Sequence, residues 1–365
     1  MHGGGVGHES YGPIAEITKN NERQPMGTNT SSLAYLTSFR FLPRVNALSR
    51  LAARDVGRGS ETLMTFASGD LFRAARHLAV GKPARALVVT GFYIPQAEHP
   101  AAETDGPLGA LEVCAALNAM GGESWLVTDE YCDAVIRPSA RGVVPDDHVL
   151  TAPIGDKFDG WMNHVIDLAN AERIDTLIYI ERVGPARDGD PRNMRGMNIA
   201  QWTAPLSKLT AMQLHTIGVG DGGNEIGMGR VAEFAIAGVV DHGPDIACTV
   251  ATDELVVAGT SNWGAHALVC AMHAMRHPEL APLLERGWHE RALHRIVQHG
   301  GLDGVTMRNE ASVDGLEPEI YYAGLERMSR LVRKHHGHGA HGLHRRESTM
   351  QQPDVSQLAV PMPAQ

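Results

Sequence analysis

Short apolar runs alternate along the chain with stretches of helical period. Residues 86–89, closed by Thr90 and Gly91, read as a buried strand. A helix is expected over 107–120, where Pro107 suits the first turn and Gly121 with Gly122 the end. Further strands are expected at 125–127, 176–180, 215–219 and 246–250, with helices over about 156–171 and 262–275, the last capped by Ser261. This alternation predicts an α/β fold, a mostly parallel sheet with helices on both faces. Right-handed crossovers then bring the C-terminal ends of all strands to one edge.

At 365 residues and 43% hydrophobic content, the chain can bury a large core. Residues 31–333 are expected to form one α/β domain. Polar, glycine-rich residues 1–30 read as a flexible arm. Residues 334–365, with His335, His336, His338, His341 and His344 among glycines, read as a disordered tail able to bind metal adventitiously. A net charge of -10 argues against nucleic acid as a partner. No run of about 18 apolar residues predicts a membrane span, and 1–13 lacks the apolar stretch of a secretory signal. A cytoplasmic protein is expected, with a small-molecule substrate and, as its remaining partners, further copies of itself in a homo-oligomer. Cys114, Cys132, Cys248 and Cys270 show no C-x-x-C spacing and read as reduced core thiols.

Composition matters most at the strand ends. After the first comes Glu103-Thr104-Asp105-Gly106-Pro107, and after the second Thr128-Asp129-Glu130. The third ends in Glu181-Arg182, the fourth in Gly220-Asp221-Gly222-Gly223-Asn224-Glu225, and the fifth in Thr252-Asp253-Glu254. Ligands of open α/β sheets bind beyond the carboxyl ends of the strands. With strands about 4.8 Å apart, several carboxylates would converge there into an acidic site. Their repulsion calls for a hard divalent cation, Mg²⁺ or Mn²⁺, which prefers oxygen ligands.

Plainer readings stand beside this one. Asp105 suits a helix N-cap, Asp129 and Glu130 suit the cap of the next helix, and Glu181-Arg182 suits a surface ion pair. The segment 218–229 is harder to explain blandly, because six glycines surround Asp221, Asn224 and Glu225. Such a loop costs chain entropy and is expected to wrap something. It reads as neither a dinucleotide-binding G-x-G-x-x-G fingerprint nor a Walker loop with its G-K-[ST] ending, so nucleotide binding is not expected. Arginines over 182–195 could grip a carboxylate or phosphate. The helix start at 260–264 offers free N–H groups to an anion. His266, Cys270, His273 and His277 lie on one helix face but span about 16 Å, too far to share one ion. A packed or half-exposed face is expected there. No G-x-S-x-G elbow is present, which disfavours a serine hydrolase.

Several segments, taken in order, resemble the D-glutamate cyclase domain family. They are Gly91-Phe92, Glu103-Thr104-Asp105-Gly106-Pro107, Thr128-Asp129-Glu130, Glu181-Arg182, Asn193-Met194-Arg195-Gly196, the long string from Gly218 to Gly229, and Ser261-Asn262-Trp263-Gly264-Ala265. Asp303-Gly304-Val305-Thr306 and Val313-Asp314-Gly315 fit its C-terminal end. The resemblance spans roughly residues 60–330. It implies a lyase that closes D-glutamate to 5-oxo-D-proline with loss of water. In the family's larger mitochondrial enzyme the domain follows a hydratase-like one, for which the first 60 residues are too few. On this reading Asp105, Glu181, Asp221, Asn224 and Glu225 would hold the metal. Asp129 or Glu130 would take the ammonium proton, and Arg182 or Arg195 would clamp the α-carboxylate. Thr104, Asn193, Gly222, Gly223, Ser261 and Asn262 would line the substrate. Two other functions fit the same residues: a Mn²⁺- or Mg²⁺-dependent phosphatase for a small phosphate ester, and a non-catalytic metal or amino-acid binding protein.

Overall fold

The computed structural model describes residues 30–333, with side chains from Leu33 onward. The expected arm at 1–30 lies almost wholly outside the described residues, and the tail at 334–365 wholly so. The strands are β1 (Arg85–Thr90), β2 (Tyr93–Ile94), β3 (Ala101–Ala102), β4 (Glu123–Asp129), β5 (Val149–Ala152), β6 (Thr176–Ile180), β7 (His215–Gly220) and β8 (Glu254–Val257). Strands β2 and β3 form a small antiparallel pair. The other six form one sheet in the order β5-β4-β1-β6-β7-β8, parallel throughout. The chain winds outward from β1 to β5, returns to the centre, and winds outward again from β6. The reversal leaves a crevice at the carboxyl ends of β1 and β6, where doubly wound sheets bind ligands.

Residues of a parallel strand are buried on both faces, which explains the near-continuous apolar runs. Along β1, Ala86 and Val88 enter one core while Leu87 and Val89 enter another. The first core also takes the helices Pro107–Ala119 and Ser261–Ala274. The second takes Phe158 and Val165 of the helix Phe158–Glu172, so both faces are covered. Every residue of Ser261–Ala274 is buried. It is apolar around most of its circumference because the helices Leu42–Ala52, Asp70–Ala79 and Pro318–Arg333 pack over it. All four cysteines are buried and free. Among the described residues, no helix is long and apolar enough to cross a membrane.

Two elements depart from the sequence reading. Residues 246–250 are not a strand: Ile246 ends the short helix Gly243–Ile246, and the edge strand is β8. The carboxylates of Asp253 and Glu254 therefore lie at the start of a strand, on the edge of the sheet away from the crevice. There Asp253 accepts hydrogen bonds from the N–H and the hydroxyl of Thr216, at 2.8 and 2.9 Å, and Glu254 pairs with His215 at 2.6 Å. The apolar content of 246–250 serves instead a core formed with Met228, Ile236 and Leu255. Strand β5, only four residues long, carried too short a signal to be read.

Candidate active site

Three carboxylates meet above the crevice. Glu181 is the first residue past β6, and Asp221 the first past β7. Asp105 precedes the helix Pro107–Ala119. One carboxylate oxygen from each lies within 4.8 Å of the others, and the residues are at most 5% exposed. Local backbone makes this convergence possible. Glu181 has φ +44°, a left-handed conformation that turns its side chain out of the strand direction. Gly106 has φ +91°, and a Cβ there would fall 2.5 Å from the Glu181 Cβ. Only glycine lets the Asp105 loop approach so closely.

Each carboxylate is partly satisfied by the protein. The backbone N–H groups of Ser261 and Asn262 each donate to Asp105 at 2.8 Å, so this side chain fills the anion-accepting start of the helix Ser261–Ala274. The Ser261 hydroxyl donates to Glu181 at 2.6 Å. Arg58 pairs with Asp221 and reaches Asp314 at 2.9 Å. The other Asp221 oxygen, Oδ1, is buried without a partner. Burial, then the neighbouring negative charges, push the carboxyls of Glu103, Asp105 and Glu181 well above the ordinary range. Asp221 is likewise raised by burial, although the Arg58 charge opposes the shift. Burial works against the Arg58 charge, but Asp221 and Asp314 outweigh it and hold the guanidinium well above its usual value.

A cavity of about 210 Å³ is lined by Glu181 and Asp221, with Asp105 outside its lining. Arg58, Gln96, Glu103, Asn193, Arg195 and Asp314 supply the rest of its polar lining, with Phe92, Ile94 and Met194 among the apolar residues. Asn193 accepts from the N–H groups of Arg195 and Met197 at 3.0 Å each, while its own Nδ2 is buried without a partner. The glycine-rich loop wraps its own glutamate. Glu225 accepts N–H donors from Asp221, Gly222 and Gly223 at 3.1, 2.6 and 2.8 Å. Residues 218–223 do have the spacing G-x-G-x-x-G. The chain after β7 runs into this loop rather than into a helix, and Glu225 occupies the cradle a phosphate would need. Asn224 donates to the Arg192 carbonyl at 2.8 Å, leaving its Oδ1 buried and unpartnered.

Other expected site residues are placed away from the cavity lining. Arg182 is buried and pairs with Asp129 at 2.7 Å, and donates to the carbonyls of Gly91 and Ala204, each at 2.7 Å. Glu130 is exposed, and accepts from Ile154 N–H at 3.3 Å. The Thr104 hydroxyl donates to the Ser312 carbonyl at 2.8 Å. Asn262 ties the cavity floor together. Its Oδ1 accepts from Gly106 and Gly109 N–H at 3.0 and 2.8 Å, and its Nδ2 donates to the Thr104 carbonyl at 3.1 Å. Asn262→Ala would strand three buried backbone groups. It is expected to lower stability by roughly 2–4 kcal/mol, read as a shifted urea midpoint at unchanged slope. A midpoint matching the wild type would refute this bracing role.

Arg58, Glu103 and Asp314 were not picked out as site residues from the sequence. A signal for Arg58 was present in Asp55-Val56-Gly57-Arg58-Gly59. Asp55 Oδ1 accepts from the N–H groups of Gly57, Arg58 and Gly59 at 3.0, 2.9 and 2.9 Å, a tight turn that presents the arginine.

Comparison with known proteins identifies the family. A family model described as D-glutamate cyclase-like, C-terminal, matches residues 48–329. The Homo sapiens protein named D-glutamate cyclase, mitochondrial, is 33% identical over 268 residues, which is 63% of this chain and 42% of that protein. The chain thus spans less than half the length of that relative. The match covers the Asp105, Glu181 and Asp221 loops and the helix that Asp105 caps, and the chain belongs to the D-glutamate cyclase-like, C-terminal, family.

Proposed function

We propose that this chain is a cyclase-type lyase that converts D-glutamate to 5-oxo-D-proline and water in the cavity above β6 and β7, with a divalent cation at Asp105, Glu181 and Asp221. The observation that carries the reading is the convergence of three buried carboxylates, one with an orphan oxygen, in a chain of this family. The all-oxygen donor set suits Mg²⁺ or Mn²⁺, whose ligands stand about 2.1 Å from the ion. Once bound, such an ion would polarise the reacting carboxylate and offset charge on its leaving oxygen.

The remaining work falls to the chain's own groups. The substrate amine attacks its side-chain carboxyl carbon. A C–N bond forms, a C–O bond breaks, and the oxygen leaves as water. Glu103 lines the cavity and has a carboxyl raised by burial, which suits it to relay both protons the nitrogen gives up, one before attack and one after it, to the oxygen that leaves as water. Arg195 lines the same cavity and can hold the α-carboxylate, whereas Arg58 is committed to Asp221 and Asp314, and Arg182 to Asp129 and two carbonyls. Met194, Phe92 and Ile94 limit water around the reacting carbon.

The test is chiral chromatography of glutamate and 5-oxoproline after incubation of chelator-treated protein with each enantiomer, with and without Mn²⁺ or Mg²⁺. Formation of 5-oxo-D-proline from the D enantiomer only when metal is restored is the expected result. Unchanged D-glutamate alongside phosphate release from a panel of phosphate esters would replace this reading with the phosphatase. Binding of D-glutamate without turnover under either metal would leave a binding protein.

A further inference from the structure

Behind the acidic cavity lies a second polar cluster that the proposed reaction does not use. Glu112, His266 and His289 come from the helices Pro107–Ala119, Ser261–Ala274 and Arg286–Gln298, and all are 0% exposed. A ligand atom from each lies within 4.8 Å of the others. His266 follows Ser261 by five residues, about 7.5 Å of helix axis from the cavity floor.

The hydrogen bonds fix how these groups face one another. The Ser329 hydroxyl donates to the Leu284 carbonyl at 3.0 Å, so it accepts from His266 Nε2–H, also at 3.0 Å. His266 Nδ1 then faces Glu112 Oε1 at 2.7 Å. A nitrogen lone pair and a carboxylate oxygen cannot share that distance unless a proton or a cation stands between them. Two further atoms, Glu112 Oε2 and His289 Nδ1, are buried with no partner. An unpaired buried acceptor is costly, and here there are two beside one contact that needs a proton or a cation. His289 Nε2 lies 3.0 Å from the Leu283 carbonyl and 3.8 Å from Glu112 Oε1. Cys270 Sγ sits 3.4 Å from His266 Nε2, on the other side of the ring, and so falls outside this donor set.

We propose that Glu112, His266 and His289 form an interior metal site for a zinc-class ion, which clamps the three helices beneath the cavity. Two imidazoles and one carboxylate form a zinc-type donor set, unlike the all-oxygen group at Asp105, Glu181 and Asp221. The hydrogen bond from Nε2–H to Ser329 holds His266 in the tautomer that aims Nδ1 at the ion. Burial pushes the Glu112 carboxyl up to about 8 and the His266 and His289 imidazoles down to about 3 and about 4. A lone charge on any of them is disfavoured, and a shared cation relieves all three. With no exposed ligand, the ion enters during folding and does not exchange with solvent in the native state.

The experiment is elemental analysis of full-length protein made in zinc-supplemented medium and dialysed, still folded, against EDTA. About one zinc per chain is expected to remain in the wild type and in Asp221→Asn. It is expected to fall at least tenfold in Glu112→Gln and in His289→Gln, and to be released to a chromogenic chelator when the wild type is unfolded. EDTA strips ions held by surface histidines or by the open acidic cavity, so retention reports the interior alone. Less than a tenth of an equivalent of any transition metal in the folded wild type would overturn the proposal and leave a shared proton between Glu112 and His266. Retention of a full equivalent by both substituted proteins would overturn it too, by placing the ion elsewhere. The wild-type measurement decides the matter even if neither variant folds.

Discussion

Replacing Asp221 with asparagine is expected to cut metal-dependent D-glutamate turnover by about 10³-fold or more, about 4 kcal/mol of barrier, while leaving the fold intact. Asparagine keeps the side-chain shape and one oxygen but removes the charge that draws a cation to the cavity. The loss falls on the group with the unpartnered Oδ1, the atom best placed to coordinate. Arg58 keeps Asp314 at 2.9 Å, so the substitution does not leave a buried cation alone. The test pairs steady-state kinetics against a Mn²⁺ titration with thermal melts of both proteins. Wild-type turnover by the variant would remove Asp221 from the reaction and with it the cation site proposed for this cavity. A misfolded variant would be recognised by its melt and replaced by Glu181→Gln, which removes another of the three charges.

Without divalent metal, the protein is expected to grow more stable as pH falls from 8 toward 6.5, above the range where the histidines with lowered values oppose the trend. Glu103, Asp105, Glu181 and Asp221 all hold folded-state values above their ordinary 4.5 or 3.8. The folded chain then keeps protons that the unfolded chain has already released. Their contribution is complete below the unfolded values and is lost as pH rises through the raised ones. Each such proton is worth about 1.4 kcal/mol per pH unit within that window. Asp55 and Asp253 are shifted the other way: burial raises them, but their backbone hydrogen bonds win and lower them. Their stabilisation fails only at lower pH, as pH drops through their folded values. Mn²⁺ at about 100 times its dissociation constant adds about 2.7 kcal/mol. More of that gain belongs at pH 8 than at pH 5, because at lower pH the ion must displace protons that the raised carboxyls hold. Melting temperatures across pH, with EDTA or Mn²⁺, check both statements. A flat profile in EDTA, or equal metal stabilisation at pH 5 and pH 8, would contradict the picture of repelling carboxylates held together by an ion.

Much of this protein was legible in its residue pattern. The apolar runs at β1, β4, β6 and β7 and the helices Pro107–Ala119 and Ser261–Ala274 follow from periodicity and end signals, which are local properties. A parallel sheet followed from their alternation, and the acidic loops after the strands were visible as composition. Which apolar run became the edge strand was not local. Residues 246–250 and 254–257 are both apolar, and the pairing of Ile217 to Gly220 with β8, beside a core around Ile246, decided between them. The site partners were decided at still longer range. Arg58 meets Asp221 across 163 residues, and the Asp105 carboxylate caps a helix that starts 156 residues later. Nor could sequence tell that Glu225 closes its own glycine loop while Asp129 is paired with Arg182. Residue types and order determine which charges exist. Only packing determines which of them share one low-dielectric space, because electrostatic cost depends on separation and burial and not on position along the chain.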